Sequence, residues 1–151
     1  MSVKGKRKIW VGPADGANCK PLIVEGLAVD AITPGSLVER VAGGLQTSTK
    51  AATVFNSECL AALEYGDHVD RDVDTDYAIG ENALAGQARS GEFYNMLVAA
   101  STVLVKSSAL ASAGDGTLAL AATDGTEQVL FYSDEALTVG GSAELVCVRK
   151  A

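Results

Sequence analysis

The stretch ALASAGDGTLALA, residues 109–121, decides how this chain folds. Two short apolar runs flank Gly114-Asp115-Gly116, and an Asp-Gly pair between such runs is a local signature of a β-hairpin. Gly116 supplies the left-handed backbone that a tight turn needs, and the Asp115 carboxylate bonds to nearby backbone. A phosphate-cradling loop is also glycine-rich, but it needs a Gly-Lys-Ser/Thr ending with a helix behind it. Neither follows Gly116. The stretch is a turn between strands, and the chain around it reads in the same way.

Apolar segments of four to eight residues recur at 22–29, 36–41, 68–73, 93–99, 102–106, 117–121, 128–132 and 143–149. Turn signals stand between them: TPGS, AGG, YGD, RSGE, TDG and VGG. This pattern predicts a mainly β protein, a small single-domain β-sandwich or β-barrel. NSECLAALEY (56–65) is the exception, because Asn56 or Ser57 can cap a short helix of about two turns. The Ala-rich run 96–113 has helix propensity too, yet Val103 and Val105 alternate there and no cap precedes them, so strand is expected.

With 151 residues, 48% of them hydrophobic, the chain has material for one core and one domain. It contains no internal repeat or linker. Only the N-terminus separates, giving a basic arm over residues 1–12 and a β-rich body over 13–151. No apolar run approaches the roughly 20 residues that span a bilayer. MSVKGKRKIWVGP also lacks the apolar core of a signal peptide, so a soluble, non-secreted protein is expected. Cys19, Cys59 and Cys147 are odd in number and widely spaced, which predicts three reduced thiols rather than disulfides or a zinc site.

Charge is segregated. Lys4, Lys6, Arg7 and Lys8 stand in the first eight residues without an acid, while the remainder carries 8 basic against 19 acidic side chains, a net −11. Such a body repels nucleic acid and anionic lipid, whereas a short basic arm suits an acidic groove on a protein partner. The four basic residues are therefore candidate partner contacts. Trp10, which joins the arm to the body, is a candidate anchor for a partner's pocket.

A second concentration of charge is DHVDRDVDTDYAIGE (67–81). Asp70, Asp72, Asp74, Asp76 and Glu81 fall at positions 1, 3, 5, 7 and 12 of an EF-hand register. Thr75 occupies the position where that loop requires Gly, and no amphipathic helix flanks it, so no metal is assigned. An extended segment places the four Asp side chains on one face and Arg71, Val73 and Tyr77 on the other. The acidic face is then wet, or it meets cations of a partner. No Gly-x-Ser-x-Gly, His-Glu-x-x-His or Gly-x-Gly-x-x-Gly occurs and His68 is the only histidine, so neither a catalytic residue nor a cofactor is assigned.

Four features in order give the chain a family likeness: AVDAITPGSLVE (28–39), YGDHVD (65–70), GEFYNMLVAASTVL (91–104) and ALASAGDGTLALA (109–121). Together they resemble the head-decoration, or cement, proteins of tailed bacteriophages. The resemblance implies a non-enzymatic structural protein, made in the host cytoplasm, that binds the outside of the capsid and bridges its subunits. The major capsid protein is the implied partner, and a homo-oligomer on the particle, trimer before dimer, is expected. The alternative is an enzyme or small-ligand-binding β-barrel with its site at a subunit junction. GDHV is also similar to a turn of biotinyl and lipoyl carrier domains, but their Asp-Lys or Met-Lys hairpin tip is missing.

Overall fold

A computed structural model describes residues 6–13, 21–54, 58–64 and 72–151. In chain order the strands are β1 (Trp10–Pro13), β2 (Leu22–Leu27), β3 (Leu37–Val41), β4 (Gly44–Thr47), β5 (Leu60–Ala62) and β6 (Asn82–Gln87). Then come β7 (Glu92–Val98), β8 (Val103–Leu104), β9 (Ala109–Ser112), β10 (Leu118–Leu120), β11 (Phe131–Ser133), β12 (Leu137–Thr138) and β13 (Glu144–Lys150). The mainly β expectation holds, and no helix occurs among the described residues.

The quoted hairpin is the heart of a five-stranded barrel. β9 and β10 pair antiparallel from Ser112↔Leu118 to Leu110↔Leu120. At the turn Ala113 N–H donates to Thr117 O, and the Asp115 carboxylate accepts from both the amide and the hydroxyl of Thr117. Gly116 has φ +89, and a Cβ there would lie 2.4 Å from a Thr47 methyl, so both backbone and space require glycine. β9 continues to β11, β11 to β13, β13 to β7, and β7 returns to β10 at Val98↔Leu118, closing the ring. Its interior holds Tyr94, Met96, Val98, Leu110, Leu118, Phe131, Val146 and Val148, all fully buried. Tyr94 and Phe131 meet edge to face with centroids 6.4 Å apart. β1 adds to the outer edge of β7.

The remaining long strands form a second sheet in the order β2-β6-β5-β3-β4. It curls on itself, because Ala28 just beyond β2 bridges Leu45 of β4 and Val29 N–H donates to Leu45 O. Strand alternation splits its side chains between two cores. Leu37 and Ala61 join the barrel's cluster, whereas Val38, Leu60, Ala62, Ala83 and Ala85 join a smaller one with Ile32, Leu45 and Tyr77.

Two expectations are corrected. The helix over 56–65 is not formed: Leu60–Ala62 is β5, hydrogen-bonded between β3 and β6, while Asn56, Ser57 and Tyr65 lie outside the described residues. Pairing on both edges and burial of all three side chains override the helical propensity of Leu and Ala. Of the strand expected over 68–73, the described residues Asp72 and Val73 belong to a turn instead, where Thr75 N–H donates to Asp72 O. Residues 68–71 lie outside the described ones.

Cys59 is packed in the barrel's cluster. Burial pushes its thiol up to about 12, against a smaller opposing pull from Lys150. Because the reactive species is the thiolate, iodoacetamide at mildly alkaline pH should leave Cys59 unmodified in the folded chain and label it only in denaturant. Rapid native labelling of Cys59, read by peptide mass mapping, would contradict this packing.

Candidate interaction surface

The basic segment is fastened to the body over residues 6–13. Lys6 Nζ meets Glu135 Oε1 at 2.9 Å, with both side chains partly buried, and Glu135 Oε2 accepts the Cys147 amide at 2.7 Å. Arg7 reaches Asp72 at 3.3 Å, but this pair is exposed and so contributes little. Asn95 donates its side-chain amide to Lys8 O, and its backbone amide to Ile9 O. Ile9 N–H donates to Glu64 Oε2 at 2.9 Å, and the Ile9 side chain is fully buried in the barrel's cluster. From Trp10 onward the chain is β1, so residues 10–12 of the expected arm belong to the sheet.

Each candidate contact residue thus has its own environment. Lys6 and Arg7 are paired within the chain, and Lys8 is exposed. Trp10 is half-buried against the barrel's core, and its indole N–H is buried without an acceptor among the described residues. Asp72 accepts from Arg7 and from the Val73 amide. Asp74 and Asp76 are exposed while Val73 and Tyr77 are buried, the two-faced arrangement expected of this segment. Tyr77 O–H donates to Leu63 O, and the Ile32–Tyr77 bridge fixes the segment to the smaller core. Glu81 accepts the Ala78 amide. Among the described residues no cluster of His, Cys, Asp and Glu is arranged for a metal. Lys4 and Asp70 lie outside the described residues.

Beside the fastened segment opens a groove of about 510 Å³. It is lined by Trp10 and Val11 of β1, Ile23 and Glu25 of β2, Leu84 of β6 and the Glu64 carboxylate that accepts the Ile9 amide. Lys8 stands at its rim. Val11 and Ile23 are 52% and 50% exposed, and the Glu25 side chain makes no hydrogen bond or ion pair among the described residues. Sequence reading missed this surface. The alternation in KIWVGP is its only local trace, with Ile9 turned inward and Val11 outward.

The barrel displays a second apolar feature. Val103 and Val105, in and just beyond β8, are 61% and 64% exposed, and β8 pairs only with β12 among the described strands. Lys106 and Asp134 lie next to them, 3.7 Å apart. Ser101 and Ser107 bracket this ribbon with φ of +62° and +71°, uncommon for non-glycine residues. Their amides are pinned by Gly140 O and Ser133 O, so the ribbon is held out at both ends.

No protein-family model matches the chain, and no curated protein matches it in sequence.

Proposed function

We propose that this protein decorates the head of a tailed bacteriophage, binding the outer capsid surface and bridging major capsid protein subunits. The observation that carries this reading is the union of a basic segment and an exposed apolar groove on an otherwise acidic β body. The sequence resemblance in four ordered segments supports it. A protein of this kind works by buried surface rather than by chemistry: contacts across a capsid seam must be broken before the subunits part. Capsid seams meet at local threefold and twofold axes, so a trimer, or else a dimer, on the particle repeats each contact and gains avidity. On this reading the protein is a virion component with neither enzymatic activity nor nucleic-acid or membrane partners.

The test is sedimentation with mature heads of the phage that encodes it. The protein should pellet with the heads and raise the temperature at which they rupture. Lys8→Glu, at an exposed position on the groove's rim, should weaken binding by about tenfold at low ionic strength and by less as salt rises. Protein that remains in the supernatant at saturating heads would overturn the proposal.

A small-ligand-binding barrel is the second reading. A recess of about 300 Å³ favours it, where Thr33, Ser36, Asp115, Thr117 and Ser142 present polar groups around Leu97. A small molecule retained in native mass spectrometry would support that reading.

A further inference from the structure

We infer that the recess between the β9–β10 turn and the chain just before β3 binds an uncharged sugar ring. The inference rests on the second reading above and names its ligand, and it holds whether or not the protein sits on a capsid.

The chemistry of the lining selects the ligand class. Of the eight residues around the recess, five carry a hydroxyl, one is Asp115 and two, Leu97 and Ala143, are apolar. No basic side chain is among them. With a carboxylate present and no cation, an anionic ligand is repelled. A wholly apolar ligand would take the hydroxyls out of water without partners. A ring that carries several hydroxyls on a C–H framework meets both parts of the lining.

The bonds left to make are of both kinds. The Thr33 and Ser142 hydroxyls make no hydrogen bond among the described residues, so each can donate or accept. The buried Ser36 hydroxyl donates to Thr33 O at 2.6 Å, and the Thr117 hydroxyl donates to Asp115 Oδ1 at 2.6 Å, which leaves both oxygens as acceptors. Asp115 Oδ1 takes both bonds from Thr117, and Oδ2 has no donor among the described residues. Neighbouring hydroxyls of a sugar fit such a set, since each donates to one group and accepts from another. Asp115 is exposed, so its charge is hydrated and a cation beside it gains little.

The recess is formed before a ligand arrives. Its walls come from distant parts of the chain and are bonded together: Leu37 N–H donates to Gly116 O at 2.7 Å, and Leu97 N–H to Gly35 O at 2.8 Å. Thr47 N–H is held by Asp30 Oδ1 at 3.1 Å. Little ordering is left to do on binding. A volume of about 300 Å³ is at the small end of ligand sites and suits one ring rather than a chain of them.

The experiment is a ¹H–¹⁵N NMR titration of the full chain with free hexoses and N-acetylhexosamines at millimolar concentration. At least one sugar should shift the Ser36, Thr117 and Ser142 amides saturably, with a Kd on the order of 1 mM. Cyclohexanol, a six-membered ring with a single hydroxyl, and ethylammonium, a cation for Asp115, should leave them in place. Ser142→Ala, at an exposed position, should weaken sugar binding about threefold, and Asp115→Asn, which keeps an acceptor for Thr117, about tenfold. Circular dichroism checks that both variants fold. Methyl glycosides separate the two sources of such a ring: binding equal to the free sugar's supports the end of a glycan chain, and binding lost on methylation supports a free reducing sugar. No shift with any sugar overturns the inference, as does sugar binding that both substitutions leave unchanged. Ethylammonium or cyclohexanol shifting these amides while sugars do not also overturns it, yet leaves the second reading standing. That reading falls with it only if no small molecule of any class is retained.

Discussion

Ile9→Ala should lower stability by about 3 kcal/mol, although residue 9 directly follows a run of basic residues that reads as a loose tail. The Ile9 side chain is fully buried in the barrel's cluster, and its backbone is bonded on both sides, to Glu64 and to Asn95. Truncation leaves a cavity that the barrel wall fills only in part, because Asn95 and Glu64 still hold the backbone in place. For a domain of this length the loss corresponds to a melting temperature lower by about 10 °C. Val11→Ala, two residues on but half exposed, should change stability by no more than about 0.5 kcal/mol. Equal effects of the two substitutions in thermal or denaturant unfolding would show that Ile9 is not part of the core. The same anchoring makes deletion through residue 9 a structural change as well as an electrostatic one. Deletion also removes the Lys6–Glu135 pair and the bond from Asn95 to Lys8 O. The charge of the segment is therefore best tested by substitution at the exposed Lys8.

Gly44→Ala should cost about 3 kcal/mol or more. Gly44 opens β4 with φ +148, and a Cβ built on it would lie 2.0 Å from the Leu27 carbonyl oxygen and 2.9 Å from its carbon. Both obstacles are backbone, so no side-chain rotation relieves them. The strands must separate, which breaks the approach of β2 to β4 and the Ala28–Leu45 bridge that closes the smaller core. Gly91→Ala is the matched control. Its φ is +87, but nothing lies within 4 Å of an added Cβ, so it bears only the left-handed strain of about 1–2 kcal/mol. A Gly44 variant no less stable than the Gly91 variant would refute the close approach of β2 to β4.

The smaller core shows why parts of the fold were hidden in the sequence. β6, NALAGQ, has no β-branched residue and gives no strand signal. It is a strand because Ala83 and Ala85 fit against a tightly curled sheet, and because a Cβ at Gly86 would lie 3.0 Å from the Tyr94 hydroxyl. Small residues mark the closeness of neighbours that are remote in sequence. β5 is a similar case: its composition favours helix, and only β3 and β6 on either side make it a strand.

What the sequence determined by itself is local. The Asp115-Gly116 turn, the apolar runs that become β7 and β13, and the concentration of basic charge before residue 9 each depend on a few adjacent residues, and each is legible as a string. Alternation likewise foretold that Val73 and Tyr77 face inward while Asp74 and Asp76 face water. The tertiary structure decided which basic residues are spent within the chain. Lys6 finds Glu135 at a separation of 129 residues, whereas Lys8, two positions on, finds no acid among the described residues. It also decided that Ile9 is core and Val11 is surface, and that β1 and β2 face one another across a groove. The physical reason is that turn geometry and strand alternation are set by steric forces within a few bonds. Exposure and pairing depend instead on which distant strands close the barrel, and no short window of sequence carries that information.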